Sequence, residues 1–290
     1  MKLVIIGASG LVGGNCMNYM NDRGWKTIGT YFSYQALNTC FYDTLNPSNP
    51  NNFDVIGFDP DVIIHCGALT HVDYCELNQA ESWQKTVQST MNVIKLAKEV
   101  DAKVVYISTD YVFDGLEGPY AEDEEPNPIN VYGKHKLEAE NLILDSKLDS
   151  LVVRVAKVFG DEERGKNFVA RLAAQLKEGY LKWNGFTDQY TTAINAHDIA
   201  RAIFHLLSDQ KTGVYHLSYG EYFNAYELVM KVVSAFPQAE AHVGKITKAD
   251  FKQEANRPPL GGLKNDKFAS EYPDFEFTSI EKYLHQHLQS

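Results

Sequence analysis

Lys2-Leu-Val-Ile-Ile6-Gly7-Ala-Ser-Gly10-Leu-Val-Gly13 decides the fold of this chain. A short apolar run without alternation is the pattern of a strand covered on both faces. It passes directly into three glycines spaced by two residues, and then into a helically periodic segment over 11–20. Glycines at such a junction permit a tight turn, close approach of backbone N–H groups to a pyrophosphate, and close packing of helix on strand. The helix behind the turn aims its positive end at the phosphates. The loop therefore reads as a dinucleotide cradle in which Gly7, Ser9, Gly10, Leu11, Val12 and Gly13 meet the cofactor. The end of the second strand would show which cofactor, since an Asp or Glu there binds a ribose 2′-hydroxyl and an Arg a 2′-phosphate. It reads Thr30-Tyr-Phe-Ser33 and carries neither, so NADPH and NADH both stay open. Asp43 is a candidate contact for the adenine end, with an exposed turn aspartate as the competing reading.

Outward from this stretch, further apolar runs occur at 27–31, 62–66, 104–107 and 151–155, with periodic segments at 81–100 and 132–144 between them. Short buried strands alternating with helices predict an α/β fold, a Rossmann-type doubly wound parallel sheet over residues 1–160. The alternation loosens afterwards, with helical patterns at 167–177, 197–207 and 226–236 and a Pro/Gly-rich segment at Arg257-Pro-Pro-Leu-Gly-Gly262. Residues 161–290 read as a smaller substrate lobe, from which strands can return to the main sheet. The 290 residues carry a net charge of −11, which argues against nucleic acid or an anionic membrane as partner. No apolar run reaches the length of a membrane span. The N-terminal run is too short, and too soon followed by glycine, for a signal peptide. Cys16, Cys40, Cys66 and Cys75 show no C-x-x-C spacing, and Cys16 and Cys66 fall where buried residues are expected. Reduced thiols, a cytoplasmic location and no metal site are expected. His65, His71 and His197 are not spaced as ligands, and His197-Asp198 reads as a helix start.

Tyr132 and Lys136 stand four apart in Asn130-Val-Tyr-Gly-Lys-His-Lys136, on one face of a helix that begins after Pro128. An ammonium held beside a phenol favours the phenolate and lowers a pKa otherwise near about 10. A hydroxyl at the end of the neighbouring strand would complete a proton-donating site, and Thr109 ends the run Ile107-Ser-Thr-Asp110. The pair alone is common by chance, and an exposed helix face is its competing reading.

With the glycine loop, Thr109, Tyr132 and Lys136 in order, the chain resembles the extended short-chain dehydrogenase/reductase superfamily. Ser108-Thr-Asp-Tyr-Val-Phe-Asp114, Pro128-Ile-Asn-Val-Tyr-Gly-Lys-His-Lys136 and Thr70-His-Val-Asp73 look like the dTDP-4-dehydrorhamnose reductase family. The regulatory β-subunit of methionine adenosyltransferase shares much of this pattern. The resemblance implies NAD(P)H-dependent reduction of a 4-keto-6-deoxy sugar carried on a nucleoside diphosphate, in deoxysugar and cell-surface polysaccharide synthesis. Tyr132 would protonate the developing alkoxide, Lys136 would lower the phenol's pKa and hold the nicotinamide ribose, and Thr109 would donate to the same oxygen. Gly67, Ala68 and Leu69 match the family's cofactor-lining segment, and Thr70, Val72 and Asp110 its substrate side. Asn167 and Arg257 also fall where the family has similar residues. A homodimer is expected by the same analogy.

Tyr111 follows Asp110 where the superfamily's 4,6-dehydratases carry a second acid, which sets dehydration aside. Epimerases share the Thr/Tyr/Lys set and stay open, as does a cofactor-binding regulatory subunit without turnover. Lys157 replaces a tryptophan that bacterial reductases place against the sugar; a changed hexose contact and a solvent-facing charge are both open readings. Thr191 and Ala193-Ile194 replace the family's Gly and Pro-Thr, and Thr86 stands where extended members often have an asparagine. Among Lys166, Arg171, Arg257 and Lys264, Arg257 is the leading candidate partner for a diphosphate.

Overall fold

The computed structural model describes residues 1–288. Its first half runs β1 (Lys2–Ile6), α1 (Leu11–Asp22), β2 (Lys26–Tyr31), β3 (Thr39–Phe41), α2 (Val55–Phe58), β4 (Val62–His65), α3 (Val72–Leu77), α4 (Gln79–Trp83), α5 (Ser89–Glu99), β5 (Lys103–Thr109), α6 (Val131–Asp145) and β6 (Ser150–Val155). The single helix expected over 81–100 is α4 and α5 joined through a π turn at Gln84–Gln88. The second half runs β7 (Lys157–Phe159), α7 (Phe168–Lys177), β8 (Tyr180–Phe186), β9 (Tyr190–Asn195), α8 (Ala196–Ser208), β10 (Gly213–Leu217), β11 (Tyr222–Asn224), α9 (Ala225–Ser234), β12 (Glu240–Ile246), α10 (Asp266–Glu271) and α11 (Ile280–Leu288).

Seven strands form one parallel sheet in the order β10-β6-β5-β4-β1-β2-β3. This is the doubly wound α/β architecture the alternation predicts. The winding reverses between β1 and β4, so a crevice opens beyond the carboxyl ends of those strands. Leu3–Ile5, Ile63, Ile64, Val104–Tyr106 and Leu151–Val153 are fully buried, because helices cover both faces. On one face, Cys16, Met17 and Met20 of α1 pack with Ile199, Ala200, Ile203 and Leu206 of α8. On the other, Val93, Ile94 and Ala97 of α5 pack with Ala139 and Ile143 of α6.

The smaller lobe has its own core, including Phe159, Leu172, Leu181, Phe223, Leu228 and Phe236. It is built on a three-stranded sheet, β11-β9-β7, and a two-stranded one, β12-β8. Both β10 and α8 follow residue 160 yet belong to the main sheet's edge and face. Of the free cysteines, Cys16 is buried as expected, whereas Cys66 is only half-buried, since it leaves β4 at the crevice. His197 lies in the first turn of α8, which Asn195 caps by accepting from the His197 N–H. No helix among the described residues is long and apolar enough to cross a membrane.

Candidate active site

The glycine loop is built by close approach. Gly7 takes φ +85°, and a Cβ on it would lie 3.1 Å from the Gly67 nitrogen. A Cβ on Gly13 would run into the Gly7 carbonyl oxygen, so α1 can start against the exit of β1 only with glycine there. Gly10 caps α1 without a side-chain acceptor, which leaves the first helical N–H groups to the crevice. A cleft of about 520 Å³ is lined by Gly7, Ser9, Gly10, Leu11, Val12 and Gly13 on one side and by Gly67, Ala68, Thr109, Tyr132 and Lys136 on the other. Backbone bared by glycine, beside uncapped helix amides, fits a dinucleotide pyrophosphate. Leu69 and Asp43 line an adjoining cleft of about 350 Å³, together with Thr30–Ser33. The Asp43 carboxylate also accepts from the Leu45 N–H (2.9 Å), so it is at once a cleft wall and a turn residue.

Three local devices place Tyr132. The Asn130 side chain caps α6 by accepting from the Gly133 N–H (2.8 Å), and its amide donates to the Asn256 carbonyl (2.8 Å). Glu76 accepts from the Val131 N–H (3.0 Å). Gly133 has no Cβ to strike the Tyr111 carbonyl, so the first turn of α6 lies directly on the 3₁₀ turn that ends β5. Tyr132 thereby comes beside Thr109 and edge-on to the Tyr111 ring (5.8 Å between centroids). Burial raises the Tyr132 pKa above the ordinary phenol value, and a hydrogen bond with Thr109 opposes that in part. Lys136 departs from expectation. Its ammonium donates to the Ile107 carbonyl (2.6 Å) and lies 3.9 Å from the centroid of the Tyr106 ring, rather than on the phenol of Tyr132. Burial lowers its pKa to about 7, against the pull of Glu140 and Cys66. The two side chains share a helix face and a cleft, but their polar atoms have different partners. Beneath them His65 is fully buried, and burial followed by the Lys136 charge lowers its pKa to about 3.

A second pocket of about 250 Å³ opens on the other side of Tyr132. Thr70, Val72, Thr109, Asp110, Lys157 and Arg257 line it with Tyr111, Gln189, Tyr190 and Thr191. Thr70, Thr109 and Tyr132 belong to both cavities. The Asp110 carboxylate accepts from the hydroxyls of Thr109 (3.3 Å) and Thr191 (3.1 Å) and from the Gly262 N–H (3.1 Å). It therefore joins β5, β9 and the 257–262 segment. Burial raises its pKa, and these donors pull the other way. The replacement of glycine by Thr191 supplies one of them.

Lys157 is half-buried in the pocket wall, its ammonium 5.2 Å from the Phe168 ring centroid, so the solvent-facing reading gives way. Burial lowers its pKa, opposed by Asp110. The Arg257 guanidinium forks onto Asp73, with Nη2–Oδ2 at 2.7 Å, and Nη1 also donates to the Ala255 carbonyl (2.8 Å). The guanidinium thus ties α3 to the 257–262 segment while it lines the smaller pocket. Asn167 lines neither cavity: it is buried, caps α7 by accepting from the Ala170 N–H, and donates to the Val158 carbonyl (3.0 Å). Lys166 lines the larger cleft, Lys264 pairs with Glu124, and Arg171 lies exposed on α7. Thr86 is buried in the π turn. Sequence reasoning missed Arg164 and Tyr190 as cavity walls: Arg164 lies in the irregular segment between β7 and α7, and Tyr190 is the first residue of β9.

The RmlD substrate binding domain family matches residues 1–289 of the chain. The chain belongs to that family. This family member is 30% identical to methionine adenosyltransferase 2 subunit beta of Danio rerio, over 91% of the chain and 82% of that protein. It superposes with TM-score 0.80 on a hypothetical dTDP-4-dehydrorhamnose reductase from Sulfolobus tokodaii, at 32% identity over 93% of this chain and 94% of the other. On dTDP-4-dehydrorhamnose reductase from Bacillus anthracis, solved in complex with NADP, the TM-score is 0.85 at 25% identity, over 100% and 99% of the two chains. The resemblance read from the motifs is thus shown, including its kinship with the methionine adenosyltransferase subunit.

Proposed function

We propose that this chain is an NAD(P)H-dependent oxidoreductase that reduces the 4-keto group of a nucleoside-diphosphate 4-keto-6-deoxy sugar. The carrying observation is the junction of the two cavities, where Thr109 and Tyr132 face both the dinucleotide-sized cleft and the smaller pocket. A nicotinamide dinucleotide held by the glycine loop would supply the hydride. Tyr132, kept protonated by burial, is suited to give its proton to the sugar oxygen as negative charge develops there. The Thr109 hydroxyl is placed to donate to the same oxygen. Lys136, anchored on the Ile107 carbonyl, sets a positive charge behind the phenol and within reach of a ribose bound in the cleft. Family membership and the NADP complex of the Bacillus anthracis relative support the reading.

The test is Tyr132→Phe assayed by NADPH and NADH oxidation with a panel of 4-keto-6-deoxy nucleotide sugars. Turnover should fall by about 10²-fold or more with dinucleotide affinity unchanged. Near-normal reduction by this variant would sink the assignment.

The similarity to methionine adenosyltransferase 2 subunit beta favours a second reading, a dinucleotide-binding subunit without turnover. It predicts binding of the dinucleotide but no oxidation with any sugar in the panel.

A further inference from the structure

Arg164 stands where two clefts meet. It lines the cleft of the glycine loop, Tyr132 and Lys136, and also the adjoining one walled by Thr30, Tyr31, Phe32, Ser33 and Asp43. Its guanidinium lies 5.3 Å from the centroid of the Tyr34 ring, and its Nε is buried without a hydrogen-bond partner. The segment carrying it is tied down on both flanks. Glu163 accepts from the Tyr34 hydroxyl (3.2 Å) and the Leu37 N–H (3.0 Å), and the Asn15 amide donates to the Asp161 carbonyl (3.0 Å). A cation remote in sequence is thereby fixed over the residues that follow β2.

Those residues discriminate between dinucleotides in folds of this topology. A carboxylate there binds the adenosine 2′-hydroxyl and repels a 2′-phosphate, whereas an arginine nearby accommodates the phosphate. Thr30-Tyr-Phe-Ser33 offers no carboxylate. Of the acids nearby, Glu163 is engaged by Tyr34 and Leu37 and Asp43 by the Leu45 N–H, while Glu162 lines the cleft of the glycine loop. We propose that Arg164 reaches across from the opposite wall to bind the adenosine 2′-phosphate, and so makes this chain select NADPH over NADH. The proposal rests on the dinucleotide reading given above. A planar guanidinium with an unpartnered Nε suits a phosphate, because its N–H donors can bind two oxygens at once.

Isothermal titration of NADPH, NADH and 2′,5′-ADP into the unchanged chain and into Arg164→Ala tests it. The unchanged chain should bind NADPH the more tightly. The variant should lose roughly ten- to hundredfold in affinity for NADPH and 2′,5′-ADP, the range of a charged hydrogen bond, while NADH binding stays within about twofold. Equal losses for NADPH and NADH would place Arg164 on the shared pyrophosphate and overturn the proposal. Equal affinity of the unchanged chain for the two dinucleotides would overturn it as well, leaving the dinucleotide reading intact. Binding of neither would overturn both.

Discussion

Lys136 carries a charge in a place that disfavours it. The residue is 3% exposed, and its pKa in the folded chain is lowered to about 7. In the unfolded chain a lysine titrates near about 10.4. Between those values the unfolded state binds the extra proton, so stability rises with pH through that window. Below about 7 both states are protonated and the penalty for burying the ammonium is complete. Lys136→Met should therefore stabilise the chain at pH 6 while impairing turnover, and its advantage should shrink as pH rises from about 7 towards 10. Urea melts at several pH values check this; an advantage that grows with pH would refute the burial account. The residue pair also shows what spacing does and does not convey. A separation of four put Tyr132 and Lys136 on one face, as read. It did not reveal the ammonium's partner, because a long flexible stem lets Lys136 reach the Ile107 carbonyl instead of the phenol.

Helix α6 is fixed to the sheet by one buried ion pair. Arg154 of β6 donates through Nε to both Glu140 oxygens (3.1 Å each) and through Nη2 to one of them (2.7 Å). The paired side chains are 5% and 0% exposed. His216 of β10 lies 3.3 Å from Nη1, and burial, followed by the Arg154 charge, lowers its pKa to about 3. Removing one partner leaves a buried charge unmatched. Arg154→Met should cost about 3–5 kcal/mol, and Arg154→Met with Glu140→Leu should recover most of that in a urea melt. A single variant as stable as the double would show that the pair contributes nothing. Most element positions were legible, since apolar runs and helical periods fall within a few residues of the observed strands and helices. The pairing of Glu140 with Arg154 was not, because it depends on the register of α6 against β6. For the same reason Asn167 was misplaced: nothing in the string distinguishes a helix cap from a pocket wall.

At the scale of the whole molecule, the smaller pocket is closed by contacts between distant parts of the chain. Arg257 grips Asp73, and Asp110 ties β5 to Thr191 and Gly262. If Arg257 acts as a latch, Arg257→Ala and Asp73→Asn should both raise KM for the nucleotide sugar, with dinucleotide affinity unchanged. Tighter sugar-nucleotide binding in Asp73→Asn would instead make Arg257 a phosphate ligand for which Asp73 competes. The pairing of β10 with β6 was not legible, because Gly213-Val-Tyr-His-Leu217 is no continuous apolar run and nothing in the string names its partner strand. That pairing governs how the molecule can be made. During synthesis β6 emerges well before β10, so the parallel sheet waits with an unpaired edge while the intervening residues leave the ribosome. An open edge of this kind is a template for pairing with other chains. A cut near residue 160 makes that transient edge permanent, and release of an isolated dinucleotide-binding half should yield aggregate rather than a domain.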